Sequence, residues 1–187
     1  MMKNFSDVFV VIAPSGTGKT TLNRRLTKEH LGSVEMSVSY TTRSVRDGEI
    51  MGEHYQFVSK DKFMNLVEQN KMLEWAEVHD NFYGTPIDEL ERIRKLGKKI
   101  LFEIDIQGWI NARDLLPGAH SIFIMPPSIE DMWKRLESRG TDNLKNRLIR
   151  LDSAKMELEN ATSCDEFIIN DDIEQAFAEL RDIVISG

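Results

Sequence analysis

The chain has 187 residues, of which 41% are hydrophobic, and this length and composition fit one α/β domain with a single core. Its formal net charge is −7, so the surface as a whole repels nucleic acid and anionic membranes, and neither is expected as a partner. An anionic ligand must therefore meet a local group of Lys and Arg side chains.

The first predicted element is a strand over Val8–Ile12, a continuous run of β-branched and aromatic residues typical of a strand buried on both faces of a parallel sheet. A Gly-rich turn follows, then an amphipathic helix over Lys19–His30 with Leu22 and Leu26 one turn apart, which Gly32 helps to end. Further strands are predicted over Val34–Val38, Ile100–Ile104, Ser121–Met125 and Glu166–Ile169. Helical patterns separate the last three, which predicts an α/β fold with helices on both faces of a parallel sheet.

The polar residues 39–97 differ from this alternation. Turn signals lie at Asp47–Gly48 and Asn81–Gly84, and strand-like alternation lies near Tyr55–Val58 and Met72–Val78. We interpret this segment as a mixed α+β insertion over the sheet.

After the insertion, Ser128 is predicted to cap a helix with Asp131 at its third helical position. The polar break Arg139–Asn143 separates two helical segments and could serve as a mobile helical lid. The predicted layout of this single domain is a core of about residues 1–38, 98–136 and 151–187, an insertion of about 39–97 and a lid of about 137–150.

Compartment and metal content can be predicted from a few residues. A single cysteine, Cys164, excludes an intrachain disulfide, fits a reducing cytosolic compartment and is expected to be a buried small hydrophobe. The apolar run Val8–Ala13 is too short for a signal peptide or a membrane span, so a cytoplasmic location is expected. The four histidines have no metal-site spacing, so we expect no metal held by protein ligands alone.

A phosphate-binding loop is predicted between the first strand and helix, which indicates a P-loop NTPase fold. Residues 13–20 read A-P-S-G-T-G-K-T and fit G-x-x-x-x-G-K-[ST] except at the first position, where alanine, which resists positive φ, replaces glycine. Lys19 would sit over the β and γ phosphate oxygens, and the Thr20 hydroxyl would hold the Mg²⁺ that bridges them. The predicted ATP contacts here are Ala13, Pro14, Ser15, Gly16, Thr17, Gly18, Lys19, Thr20 and Thr21.

P-loops occur in GTPases, motor ATPases and small-molecule kinases, so the loop gives the ligand class and not the reaction. Asp105–Gly108 fits the GTPase motif D-x-x-G, and Ser153–Lys155 resembles a guanine-loop tripeptide. The chain has no N-K-x-D segment, with which a GTPase reads guanine. A GTPase is therefore disfavoured.

The stretch Thr41–Val58 resembles the guanylate kinase family. Its pattern of Thr, Ser or Thr, Arg, a base, an acid, Gly, Tyr and an aromatic residue, at fixed spacings, is filled at every position, and the resemblance extends over essentially the whole chain. It implies an enzyme that transfers the γ-phosphoryl group of ATP to GMP, giving ADP and GDP, in purine nucleotide metabolism.

The residues of the insertion suit this acceptor. Arg43 and Arg46 lie three apart, and two guanidinium groups suit a dianionic monophosphate, to which Tyr55 can also donate. The resemblance adds Ser39 and Tyr83 to that pocket. Guanine presents two donors beside its O6 acceptor, and the resemblance implies that they are read by Glu74, Thr85 and Asp105.

The remaining predicted contacts are on the ATP side. Glu103 and Asp105 alternate at the end of a strand, which would put them on the same face of the sheet, with Glu103 ordering water around Mg²⁺. The resemblance implies an adenine contact at Asn170 and a set of lid arginines that neutralise charge with Lys19 and Arg43. These arginines are Arg135, Arg139 and Arg150.

Two other functions share this fold. A non-catalytic guanylate-kinase-like module binds protein partners but generally lacks the P-loop lysine and lid arginines, which are present here. A related kinase with another acceptor, such as ribose bisphosphate, is disfavoured by the intact stretch from Arg43 to Val58 and by Glu74. The expected partners are ATP and GMP, the expected cofactor is Mg²⁺ bound with ATP, and both a monomer and a homodimer fit the sequence.

Overall fold

The computed structural model describes residues 4–14, 16–78, 80–138 and 144–186. Its strands are β1 Val8–Ile12, β2 Val34–Met36, β3 Tyr40–Thr41, β4 Gln56–Phe57, β5 Met72–Val78, β6 Asn81–Pro86, β7 Lys99–Ile104, β8 His120–Met125 and β9 Glu166–Ile169. Its helices are α1 Lys19–Glu29, α2 Lys60–Glu68, α3 Ile87–Lys95, α4 Ile106–Ala112, α5 Ile129–Ser138, α6 Leu144–Asn160 and α7 Ile173–Ser186. Two 3₁₀ turns lie at Arg113–Leu115 and Ala161–Ser163.

A five-stranded sheet in the order β2-β7-β1-β8-β9 forms the centre of the molecule, and all its pairings are parallel. The predicted α/β fold is confirmed, and all five predicted strands begin at the predicted residue or one residue before it. The strand predicted over Val34–Val38 is shorter than expected. It ends at Met36, although the Ser37 amide still donates to the Leu101 carbonyl, because the chain then turns into the second sheet.

The strand β1 shows why helices cover both faces of this sheet. All five of its residues are fully buried. Val8, Val10 and Ile12 face one core cluster, which takes its other members mainly from α3, α4 and the neighbouring strands. Phe9 and Val11 face the opposite cluster, to which α1 and α7 contribute. Because side chains alternate along a strand, a continuous apolar run requires an apolar layer on each side.

A second sheet, in the order β4-β3-β6-β5, is built from residues 40–86, which lie between β2 and β7 in the chain. The strands β5 and β6 pair antiparallel and set Glu74 opposite Thr85. The turn predicted at Asn81–Gly84 is wrong, because these residues belong to β6. The chain reverses just before them, where Asp80 takes a positive φ of 63°.

Other predictions concern helix ends and burial. The cap at Ser128 is confirmed: its hydroxyl accepts from the Asp131 amide at 3.0 Å and donates to the Asp131 carboxylate. Cys164 is buried as expected. The break predicted at Arg139–Asn143 lies outside the described residues. Among the helices that the structure describes, none is long and apolar enough to cross a membrane.

We expect Gly84→Ala to lower the free energy of unfolding by about 1–3 kcal/mol, because added atoms in a packed site force the backbone apart. A Cβ at this position would lie 2.8 Å from the Glu74 carbonyl oxygen and 2.9 Å from the Trp75 Cβ. Urea unfolding followed by circular dichroism measures the change. The matched control is Gly32→Ala, where no atom lies within 4 Å of the new Cβ. Equal stability of the two variants would contradict the close approach of β5 and β6.

Candidate active site

The polar residues of the candidate site lie where the strands of the central sheet end. All five strands are parallel, so their carboxyl ends meet at one edge. The chain leaves β1 at Ala13 into the Gly-rich loop, leaves β7 at Asp105 and leaves β9 at Asn170. Fold topology therefore brings three distant segments of sequence to one place.

The loop from Ala13 to Gly18 is closed by its own hydrogen bonds. The Thr17 hydroxyl donates to the Pro14 carbonyl at 2.9 Å, and Gly16 and Gly18 take φ values of 94° and 92°. Among the described residues with side chains, only Asn70 and Asp80 have positive φ, so Ala13 starts the loop without the strain that alanine suffers there. Gly18 is the N-cap of α1, which directs the first amides of the helix towards the loop.

Lys19 and Thr20 begin α1 and contact the end of β7. The Lys19 ammonium donates to the Ile104 carbonyl at 3.0 Å, and the Thr20 hydroxyl donates to the Glu103 carboxylate at 2.7 Å. Asn23, one turn further along α1, donates to the other Glu103 oxygen at 3.0 Å. Glu103 is thus held by two side chains of α1, the helix that follows the Gly-rich loop.

The far side of the loop is braced by two predicted residues. The Asn170 amide donates to the Thr17 carbonyl at 2.5 Å, and Asn170 is buried. Arg135 donates to the Asn170 carbonyl at 2.9 Å and to the Thr17 carbonyl at 3.5 Å. A Cβ at Gly18 would lie 2.6 Å from the Asn170 side-chain nitrogen, so glycine is needed for this close packing.

A second cluster lies in the insertion and surrounds Arg43. Its guanidinium carbon is 5.6 Å from the centre of the Tyr55 ring and 5.7 Å from that of Phe57. The Tyr55 ring packs edge-on against that of Tyr83, with 5.9 Å between ring centres. The structure therefore brings together three predicted phosphate contacts. The predicted fourth, Arg46, has an exposed side chain at the rim.

The predicted base-reading residues form a chain of contacts. The Ser39 and Thr85 hydroxyls lie 3.1 Å apart, and Thr85 hydrogen-bonds the Glu74 carboxylate. Ser39, Thr85 and Glu74 are all buried. A Cβ at Gly108 would lie 3.1 Å from Glu74 Oε2 and 3.3 Å from Asp105 Oδ1, so both carboxylates face this glycine.

The expectation that Asp105 shares a strand face with Glu103 is wrong. The strand β7 ends at Ile104, and Asp105 is the N-cap of α4, where its carboxylate accepts from the Gly108 amide at 2.7 Å. A carboxylate at this position satisfies an amide that has no partner inside the helix.

Burial changes the acidity of two residues in these clusters. Removal from water raises the pKa of Glu74 to about 7; its hydrogen bond with Thr85 lowers this pKa, whereas the charge of Asp105 raises it. Burial also raises the pKa of the Tyr55 hydroxyl, and the negative charge of Glu103 adds to this rise. Tyr55 therefore stays a neutral donor at neutral pH.

Three further polar residues lie in these clusters. Glu49 fills the acid position of the Thr41–Val58 pattern but was given no role from sequence, and Asn23 and Glu157 were not singled out. Glu49 binds Arg43 through two hydrogen bonds of 3.0 and 2.8 Å, and Asn23 holds Glu103. Glu157 of α6 has a buried carboxylate oxygen with no hydrogen-bond partner. Burial raises its pKa to about 7, and it lies within the electrostatic range of Lys19, which lowers this pKa, and of Asp105, which raises it. Glu157 is one of three acids in this 17-residue helix, and nothing in the local sequence marks it for such a position.

Four predicted ATP-side residues lie apart from these contacts or outside the described part of the structure. Ser15 and Arg139 lie outside the described residues, and so does the side chain of Arg150. Thr21 is exposed on the first turn of α1. The remaining predicted residues fall into the two clusters and the loop described above.

The predicted Mg²⁺ position can be tested against the donor atoms present. Mg²⁺ prefers oxygen ligands and keeps several waters, so a hydroxyl next to a carboxylate suits it when nucleotide phosphates supply the rest. Thr20 and Glu103 form such a pair, and both oxygens of Glu103 are fixed. No group of three or more His, Cys, Asp or Glu side chains that could hold a metal occurs in the described part of the chain.

Comparison with known proteins places these residues in a family. The sequence model of the guanylate kinase family matches residues 6–186. The chain is 47% identical to a guanylate kinase of Nitratidesulfovibrio vulgaris over 93% of this chain and 84% of that protein, and 44% identical to one of Neisseria meningitidis over 95% and 86%. The crystal structure of guanylate kinase from Anaplasma phagocytophilum superposes with a TM-score of 0.79 at 32% identity, over 100% of this chain and 88% of that one.

We expect Glu74→Gln to stabilise the protein at pH 8 by roughly 1–3 kcal/mol, since it removes a buried charge. The folded state holds the Glu74 proton more tightly than the unfolded state. The contribution of Glu74 to stability therefore declines as the pH rises from 4.5, the ordinary pKa of the side chain, to about 7, its pKa in the folded protein. Melting temperatures of both proteins between pH 5 and 8 should diverge as pH rises. Glu77→Gln, on the same strand but exposed, is the charge-matched control. Parallel curves for Glu74→Gln and the parent would contradict the raised pKa.

Proposed function

Since this chain belongs to the guanylate kinase family, it is an enzyme that phosphorylates GMP with ATP, and we propose how its residues divide that work. The observation that carries the proposal is the presence of two cationic clusters among the described residues. One consists of Lys19 and the loop amides, and the other is centred on Arg43. Two such clusters suit the phosphates of a donor and an acceptor nucleotide.

The loop holds the ATP phosphates. Its amides point along the start of α1, where the helix dipole favours negative charge. When ATP binds, the Lys19 ammonium leaves the Ile104 carbonyl for the β and γ oxygens, a move of a flexible side chain alone. Asn170 and Arg135 support the loop from the adenine side, and Arg135 lies near enough to reach the phosphates.

The insertion holds GMP. Arg43, Tyr55 and Tyr83 bind its phosphate, with Arg46 at the rim, and the pocket of Ser39, Glu74, Thr85 and Asp105 reads the base. Guanine brings N1–H and an exocyclic amine, which need an anionic acceptor, and Glu74 is a buried carboxylate without a cation. Binding of guanine lowers the pKa of Glu74 by supplying donors to its charged form. Adenine has no donor at N1 and would leave this carboxylate unsatisfied.

The reaction needs alignment and charge neutralisation. An oxygen of the GMP phosphate forms a bond to the γ-phosphorus of ATP, and the bond from that phosphorus to the bridging oxygen breaks, releasing ADP. Negative charge spreads over the transferring group, and Lys19, Arg43 and Arg135 offset it without themselves gaining or losing protons. Arg139 and Arg150 add to this set when the helical segments around residues 137–150 close.

Mg²⁺ would be held by ATP phosphates and the Thr20 hydroxyl, with Glu103 accepting from its waters. When bound, it would neutralise charge on the ATP phosphates. Glu103 is suited to the role because Asn23 fixes its second oxygen and leaves its orientation defined.

The relatives named guanylate kinase give no support to a protein-binding module or a ribose bisphosphate kinase.

A coupled assay of ADP release across GMP, AMP, UMP and CMP tests the acceptor. We expect strong preference for GMP, and Glu74→Gln should lower kcat/KM for GMP by about tenfold or more, because the guanine donors lose an ionic acceptor. The same variant is expected to be more stable than the parent, so unfolding cannot explain the loss. Equal use of AMP would contradict the base pocket.

We expect Lys19→Ala to lower turnover by about three orders of magnitude or more, because the transferring group loses a cation in the transition state. The coupled assay measures turnover, and circular dichroism checks the fold. Lys28→Ala removes an exposed lysine from the same helix and should leave turnover unchanged. Near-normal turnover of Lys19→Ala would remove the loop from the ATP site.

A further inference from the structure

The ion pair of Arg43 and Glu49 has a geometry that the phosphate site alone does not explain. Nη1 of Arg43 donates to Glu49 Oε2 at 3.0 Å, and Nη2 donates to Oε1 at 2.8 Å, so the two groups form a bidentate pair. The Arg46 amide donates to Oε2 at 2.8 Å, and the Glu49 amide donates back to the Arg46 carbonyl at 3.1 Å. Three donors and a tight turn therefore fix the carboxylate.

The pair is sheltered from water. The Arg43 and Glu49 side chains are 12% and 15% exposed. Burial alone would raise the pKa of Glu49, but the hydrogen bonds from Arg43 and from the Arg46 amide lower it below its ordinary value. Glu49 is therefore a permanent anion at neutral pH, beside a site for another anion.

The planar shape of the guanidinium group shows how both anions can be accommodated. Nη1 and Nη2 form one edge of the group, and Nε and Nη2 form another, so two acidic partners can bind different edges. Glu49 occupies the first edge, and Nη1 also donates to the Ser44 carbonyl at 2.7 Å. Nε is buried and has no hydrogen-bond partner. The second edge therefore holds an unsatisfied donor, in a pocket that Tyr55 and Tyr83 share.

We propose that Glu49 is a positioning residue for the acceptor phosphate, holding one edge of Arg43 so that the edge of Nε and Nη2 is presented to the phosphate of GMP. This inference rests on the proposed function of the Arg43 cluster. A buried donor without a partner is unfavourable, and a phosphate oxygen that reaches it relieves this cost on binding. The long side chain of Arg43 is ordered beforehand, so less conformational entropy is lost when GMP arrives.

A competing role for Glu49 is that of a stand-in for the phosphate, displaced when GMP binds. Displacement would strip a carboxylate of both guanidinium bonds in a sheltered place, where an uncompensated charge is costly. The Arg46 amide would still hold it there, next to the incoming dianion. The structure favours the positioning role, and the two roles predict opposite effects on the affinity for GMP.

The experiment compares Glu49→Gln with the parent in steady-state assays of GMP phosphorylation. If Glu49 positions Arg43, the KM for GMP rises by about tenfold while kcat and the KM for ATP change by less than about twofold, since binding of one substrate is impaired. Glu49→Asp, which keeps the charge, should restore part of the loss. A fall in the KM for GMP would establish displacement and overturn the proposal, and so would an unchanged KM.

Controls separate this role from a structural one. Glu53→Gln removes an exposed charge from the same loop and should leave the KM for GMP unchanged. Glu49→Gln should also add little to the effect of Arg43→Lys, because lysine has no planar edge to be held. Fully additive effects would show that Glu49 acts apart from Arg43 and would overturn the proposal.

The parent enzyme separates this inference from the proposed function on which it rests. A parent enzyme that fails to phosphorylate GMP would contradict the proposed function itself. If the parent is active and Glu49→Gln leaves its KM for GMP unchanged, only this inference is contradicted.

Discussion

The structure depends on one constraint, the common direction of the five central strands. Parallel strands put all their carboxyl ends at one edge, and a sheet buried on both faces leaves that edge as the place where polar groups can gather. The Gly-rich loop, Glu103 and Asn170 reach the same site for this reason, although more than 150 residues of chain separate the first from the last. Lys19 supplies a charged amine there, and its bond to the Ile104 carbonyl keeps it at the end of β7.

Lys19 and the Arg43 cluster concentrate positive charge locally in a chain whose formal net charge is −7. The partners of two sheltered carboxylates decide how each responds to burial. Burial raises the pKa of both, but Glu49 has a guanidinium group and an amide that bring its pKa below the ordinary value. Glu74 has a hydroxyl and no cation, and its pKa stays raised. Glu49 is thus a fixed anion that holds a cation, whereas Glu74 is an acceptor whose charge no cation offsets. Only the second kind can discriminate between ligands by the donors they bring.

Sequence patterns predicted the parts of the fold in which local and tertiary requirements coincide. The strand β1 is a continuous apolar run, and β7 and β8 contain shorter ones, because each is buried on both faces; the cap at Ser128 is a local hydrogen bond. The prediction failed at Asn81–Gly84, where residues typical of turns form a strand. Gly84 is needed there because the Glu74 carbonyl and Trp75 of the neighbouring strand approach too closely for a side chain. That requirement lies in strand pairing, which local sequence does not encode.

The site was predictable to the same extent. Motif spacing pointed to Lys19, Thr20 and Arg43, because backbone amides, cations and hydroxyls recur at fixed distances along the chain. Glu157 and Asn23 belong to the site through interactions with residues far away in sequence, and the residues next to them in the chain give no sign of those interactions.

Glu103 shows how far such distant contacts reach. Its two carboxylate oxygens accept from Thr20 and Asn23 of α1, and its negative charge adds to the effect of burial in raising the pKa of Tyr55 in the insertion. One carboxylate at the end of β7 therefore acts on the first helix through hydrogen bonds and on a residue of the second sheet region through its charge. Neither effect can be read from the residues next to Glu103 in sequence, because both depend on how the sheet and the insertion are placed.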